Sequence, residues 1–226
     1  LRRSDAMSVS LGGGGDATKL IYFTPRFSGF QLGASLTPNM TTVGRASSDN
    51  NGSINNMWEL GANYVGKFGD VGVTVAATYM GSSDTDGAST GTTANQKENV
   101  KVWNVGAKVA VSGFTVAAGY QDNGDTTLTK TLVTAGADMG KTWNVGLGYK
   151  TGPWGVSAGY HYGKRDLTLT TEAKIAVSVL GAQYAMAPGW TVMGELGFWD
   201  VKDGADAVGA TDRDVQVFML TNQFVF

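Results

Sequence analysis

Apolar and polar positions alternate along most of this chain. From Gly29 to Thr37, Phe30, Leu32, Ala34 and Leu36 are separated by Gln31, Gly33, Ser35 and Thr37. From Val71 to Met80, Val71, Val73, Val75, Ala77 and Tyr79 alternate with Gly72, Thr74, Ala76 and Thr78. Trp143, Val145, Leu147 and Tyr149 repeat the pattern, as do Trp154, Val156, Ala158, Tyr160 and Tyr162. A period of two places successive side chains on opposite faces of a strand. Eleven strands are predicted, near 17–24, 29–37, 57–66, 71–80, 100–111, 114–121, 140–150, 155–163, 172–185, 189–199 and 213–226. Segment 172–185 is ambiguous. Ile175, Val177 and Val179 share one parity, whereas Leu180, Ala182 and Tyr184 share the other, as a bulge would produce. The facing of Lys174 stays open for the same reason.

The connections alternate in length. Short ones fall at 25–28, 67–70, 112–113, 151–154 and 186–189, and three of the four prolines sit in them. Turns accept the fixed φ and missing N–H of proline, and strand centres do not. Long ones fall near 38–56, 81–99, 122–139, 164–171 and 200–212, and are rich in Asp, Asn, Gly, Ser and Thr.

Composition sharpens this picture. The chain has 226 residues with 33 glycines, no cysteine and one histidine. Charged residues make up 16%, and the net charge is −2. Without cysteine there is neither a disulfide framework nor a thiolate metal site. The balanced charge gives no footprint for nucleic acid. That much glycine is costly inside helices, at about 1 kcal/mol per site. No apolar run exceeds four residues, far short of the roughly 20 that a transmembrane helix needs.

A soluble sandwich also alternates, but three features point elsewhere. The face opposite the apolar one is mostly Gly, Ala, Ser, Thr and Asn. Aromatics gather at strand ends: Trp58, Tyr79, Trp103, Tyr120, Trp143, Trp154, Tyr162, Tyr184, Trp190 and Trp199. Long and short connections alternate strictly. A transmembrane antiparallel β-barrel explains all three, with a lipid face, two aromatic girdles, tight turns on one rim and long loops on the other. In hydrocarbon only a closed sheet pairs every backbone group. The mean hydropathy of −0.09 is then an average over a lipid face and a water face.

Several segments resemble Gram-negative general diffusion porins. Thr18 to Ser35 is similar to the stretch that follows their constriction loop, and Leu180 to Trp190 to their penultimate hairpin. Phe218, Leu220, Phe224 and Phe226 resemble the C-terminal signature read by the outer-membrane assembly machinery, with Asn222 a departure from it. The resemblance implies a sixteen-stranded barrel of which these eleven strands are the C-terminal part. Residues 1–15 would be the end of the constriction loop, and 16–226 the strands and loops of the barrel. The chain opens Leu1-Arg2-Arg3-Ser4-Asp5, with no initiator Met or apolar signal core, as expected of a processed chain or a fragment. Its first and last strands both run inward, and single-chain bacterial barrels have even strand numbers. An upstream strand is therefore expected. Ala6 to Gly12 is a second candidate for it and would make a twelve-stranded barrel. The resemblance also implies the bacterial outer membrane, a homotrimer, contact with lipid and lipopolysaccharide, and passive diffusion of small hydrophilic solutes and ions. A structural or adhesive barrel without an open pore is the alternative.

The lumen parity carries Gln31, Glu59, Asn63, Asn104, Lys108, Asn144, Lys150, His161 and Glu195 as candidate pore-lining residues. Lys108 and Lys150 favour anions, and Glu59 and Glu195 favour cations. Outer-membrane barrel hydrolases place His beside Ser or Asp, and Tyr160-His161-Tyr162-Gly163 has no such partner at a telling spacing. Ala135 to Thr142 approaches a P-loop but lacks the first glycine and the helix that must follow. No catalytic residue, resident metal or cofactor is expected. The loop aspartates Asp200, Asp203, Asp206, Asp212 and Asp214 are candidates for Ca²⁺, though without EF-hand spacing.

Overall fold

The computed structural model describes residues 17–40, 54–84, 96–204 and 212–225. Ala6 to Gly12, residues 1–15, Asp206 and Phe226 lie outside them. The fold is one antiparallel sheet of eleven strands, each paired with its neighbours in the sequence. In order these are β1 (Leu20–Phe23), β2 (Phe30–Asn39), β3 (Asn55–Phe68), β4 (Val71–Asp84), β5 (Lys101–Val111) and β6 (Phe114–Asp122). A short helix, α1 (Lys130–Thr134), follows. Then come β7 (Lys141–Thr151), β8 (Trp154–Asp166), β9 (Glu172–Ala187), β10 (Trp190–Lys202) and β11 (Arg213–Phe224). Among the described residues β1 and β11 are the two edges, and they do not pair with each other.

Each strand lies where the alternation places one. Several run further on the long-loop side: β3 starts at Asn55, β4 reaches Asp84 and β8 reaches Asp166. There the ladder continues past the apolar positions into polar sequence, so hydropathy loses the strand before hydrogen bonding does.

The register is continuous through β9. Ile175, Val177 and Val179 pair with Gly163, His161 and Gly159 of β8, and with Val201, Trp199 and Gly197 of β10. The only irregularity against β10 falls at Trp190/Thr191. No bulge therefore switches the parity of segment 172–185. Ile175, Val177 and Val179 share the His161 face, while Leu180, Ala182 and Tyr184 share the opposite one with Lys174.

The sheet curls. Residues of all strands from β4 to β11 line one cavity of about 900 Å³ on its concave face. The convex face exposes Leu32, Leu60, Val105, Val116, Leu147, Val156, Leu180 and Leu220. It also carries two rows of paired rings. Trp58–Tyr79, Trp103–Tyr120 and Trp143–Tyr160 lie on the long-loop side, with centroids 5.2, 5.1 and 5.2 Å apart. Phe30–Tyr64, Phe114–Tyr149, Trp154–Tyr184 and Trp190–Phe224 lie on the short-turn side, at 4.7, 4.3, 4.5 and 5.8 Å. In β3, β6, β7 and β8 the two rows are spaced Trp58 to Tyr64, Phe114 to Tyr120, Trp143 to Tyr149 and Trp154 to Tyr160. That spacing is roughly 20 Å along a strand, which suits an apolar band between two membrane interfaces. Trp199 is the exception. It faces the concave side and lines the cavity, so it is not a girdle residue.

Candidate functional site

All nine residues read as lumen-facing share the concave parity. The ladder shows this directly, because cross-strand partners point the same way. Gln31 pairs with Asn63 and Glu59 with Ser35. Asn104 pairs with Gln121, Gly119 with Asn144 and Asn144 with His161. Lys150 pairs with Gly155, and Glu195 with Gly181 and Met219. Asn104, Lys108, Asn144, His161 and Glu195 line the 900 Å³ cavity together. Gln31, Glu59 and Asn63 lie further round on β2 and β3, and Lys150 at the short-turn end of β7.

Their local bonding differs. Glu59 accepts a hydrogen bond from the Ser35 hydroxyl on the neighbouring strand. Gln31 is held near the turn: its amide donates to the Thr24 carbonyl at 3.1 Å and accepts from Arg26 at 3.0 Å. Asn63 Oδ1 is buried without a hydrogen-bond partner among the described residues. His161 stands between Asn144 and Val177 on the same face.

The concave face is not uniform. From β2 to β8 it presents mainly Gly, Ala, Ser, Thr, Asn and Gln, with Glu59, Lys108, Lys150 and His161 among them. On β9 to β11 it presents Val177, Val179, Trp199, Val217 and Met219 around Glu195. The lumen reading from sequence omitted this apolar wall, because polarity was the marker of the water face. The odd separation of Trp190 and Trp199 is the signal that would have found it: in a regular strand such positions point to opposite faces.

Three connections on the long-loop side are joined to one another by backbone hydrogen bonds. Backbone N–H groups of Glu98, Thr127 and Lys130 bond to the carbonyls of Leu128, Glu98 and Gln96 at 2.7, 3.1 and 2.8 Å. Leu169 N–H reaches Ala135 O at 2.9 Å, and Asp138 N–H reaches Asp166 O at 2.8 Å. Asn123 and Thr126 are fully buried there. Burial pushes the Asp138 carboxyl above its ordinary range, against the opposing pull of the Gly140 N–H that it accepts. The P-loop-like stretch at 135–142 runs from the end of α1 straight into β7, so no helix N-terminus faces it. Among the aspartates considered for Ca²⁺, Asp203 pairs with Arg213 at 2.7 Å, and Asp200 lies opposite Asp214. Among the described residues no group of three or more His, Asp or Glu is arranged to hold a metal ion.

Of the C-terminal signature, Phe218, Leu220 and Phe224 form an exposed row on the convex face. Asn222 in the same row accepts a hydrogen bond from the Trp190 indole at 3.4 Å.

A family model described as Gram-negative porin matches residues 3–204. Comparison with curated proteins gives no match. Among solved structures the chain is similar to a loop L8 deletion mutant of OmpT, an outer membrane protein of Vibrio cholerae, with a TM-score of 0.61 at 18% identity. That match covers 91% of this chain and 62% of the other. Similarity to OccAB4 of Acinetobacter baumannii has a TM-score of 0.59 at 14% identity, covering 91% and 52%. The anion-selective porin of Comamonas acidovorans gives 0.54 at 14%, covering 90% and 56%. The chain thus spans less than two thirds of the length of each, and the likeness is one of fold.

Proposed function

This chain belongs to the Gram-negative porin family and resides in the bacterial outer membrane, and we propose that its curled sheet is the wall of a water-filled channel. The channel passes small hydrophilic solutes and ions by passive diffusion, without chemical change. The observation that carries this reading is the division of the sheet into two faces. The convex face is apolar between two rows of aromatic rings, and the concave face gathers Asn104, Lys108, Asn144, His161 and Glu195 around one cavity. Lipid on one side and water on the other is the environment that satisfies both.

Selection in such a channel comes from pore width and from charges on the wall. Lys108 and Lys150 attract anions, and Glu59 and Glu195 attract cations, so the described wall carries both signs. A homotrimer, and assembly through the Phe218, Leu220, Phe224 and Phe226 row, complete the proposal. The exposure of Phe218, Leu220 and Phe224 on the convex face supports the second part. Reconstitution of the purified protein in planar bilayers in KCl tests the channel. Stepwise conductance increments are expected, and a silent bilayer at protein densities that give full membrane insertion overturns the reading.

A further inference from the structure

Three residues of one parity stand in a row on β10: Glu195, Gly197 and Trp199. The indole of Trp199 lies along the strand over Gly197. A Cβ added to Gly197 would meet Trp199 Nε1 at 3.0 Å. The ring therefore leans toward Glu195, the next side chain on that face. Val177 and Val179 of β9 border the row on one side, and Val217 and Met219 of β11 on the other. Across the cavity the lining is mostly small and polar, with Lys108 and His161 among its ionisable groups.

A carboxylate beside an indole, set in an aliphatic wall, combines three attractions. The carboxylate pairs with a cation, the ring face attracts it through its quadrupole, and Val and Met cover apolar surface. A small inorganic cation uses only the first, and holds its own water more tightly. A sugar uses none of the charge. An organic ammonium ion with an aromatic or alkyl body uses all three, and Lys108 opposite disfavours the anion of the same shape.

We propose that the Glu195–Gly197–Trp199 row is a binding site at which organic ammonium ions with an apolar substituent dwell during passage. The site rests on the channel reading above and gives that channel a preferred class of solute.

Single-channel recording on the reconstituted protein tests it, with KCl conductance as the reference. Phenethylammonium at millimolar concentration should interrupt the current. Methylammonium shares its charge and phenylacetate its body, and each should do so at least about tenfold more weakly. Measured against each variant's own KCl steps, Trp199→Ala and Glu195→Gln should each weaken the block by roughly 5- to 20-fold. Gly197→Ala keeps both charge and ring but displaces the indole, and should weaken the block as well. Trp199→Phe keeps a ring and should retain the block within about threefold, which covers the case where Trp199→Ala does not insert. Equal block by phenylacetate, or an unchanged block in Trp199→Ala and Glu195→Gln, overturns the site while the channel stands. Absence of KCl steps from the unsubstituted protein overturns both.

Discussion

Gly81 makes room for a girdle ring. A Cβ there would fall 2.6 Å from the six-membered ring of Trp58 on the neighbouring strand. That indole stacks on Tyr79 with a centroid distance of 5.2 Å and an interplanar angle of 25°. Gly81→Ala must push the ring aside and open the stack, and aromatic pairs contribute about 0.5–1.5 kcal/mol beyond their buried area. A loss of about 1 kcal/mol is expected in urea unfolding from lipid vesicles followed by tryptophan fluorescence; an unchanged midpoint and slope would contradict the account. At this scale much was legible. The concave parity of Gln31, Asn104 and Asn144 follows from period two alone, since each stands among small or polar residues. Trp199 was misread because residue type outweighed parity: an aromatic near a strand end looks like a girdle residue even when its neighbours Leu196 and Phe198 occupy the lipid side.

The hairpin between β5 and β6 turns through two residues, Ser112 at φ 48° and Gly113 at φ 84°. Two positive φ angles match the twist of the flanking strands, which is why tight hairpins select such turns. Gly113 is doubly constrained, because an added Cβ would also run into the Lys150 carbonyl of β7. Gly148, one strand away, is extended and would meet only ordinary contact, with the Val156 carbonyl at 3.7 Å. Gly113→Ala is therefore expected to cost about 1–3 kcal/mol, and Gly148→Ala a few tenths at most. The same unfolding titration separates them, and equal costs would show that backbone strain is not what holds the turn. Such turns were legible because Gly and Pro punctuate them. The facing of β9 was not. Apolar residues occupy both of its parities, since the water face of β9 to β11 is itself apolar, and only the pairing of Val177 with His161 and Trp199 decides it. Helix α1 was also missed. Thr129 caps it, with its hydroxyl accepting from Leu132 N–H at 3.3 Å, but no acidic residue follows in the first turn and its Thr and Val are poor helix formers.

For the molecule as a whole, the open question of membrane physics is what pairs the two edges. The strands among the described residues, and the two faces of most of them, could be read from alternation, because each is a local pattern; pairing between distant strands leaves no such trace. β11 is bonded to β10 along its full length, and no strand among the described residues is paired with its other edge. β1 has β2 on one side only. Each unpaired N–H or C=O facing hydrocarbon costs several kcal/mol, so a free twelve-residue edge like that of β11 is incompatible with a bilayer. Both edges are therefore expected to be paired in the membrane-inserted protein. Hydrogen exchange read by mass spectrometry on protein in vesicles makes this measurable. If the edge is paired, peptides covering Val215 to Leu220 should resist exchange as strongly as those covering Val145 to Tyr149 in the interior strand β7. If it is open, every second amide of β11 lacks a partner, and about half of the label in that peptide should enter quickly. The comparison is internal to one sample, because both segments lie at similar depth between the aromatic rows. Fast labelling confined to β11 would mean that the sheet inserts with a free edge, against the requirement from which closure was argued.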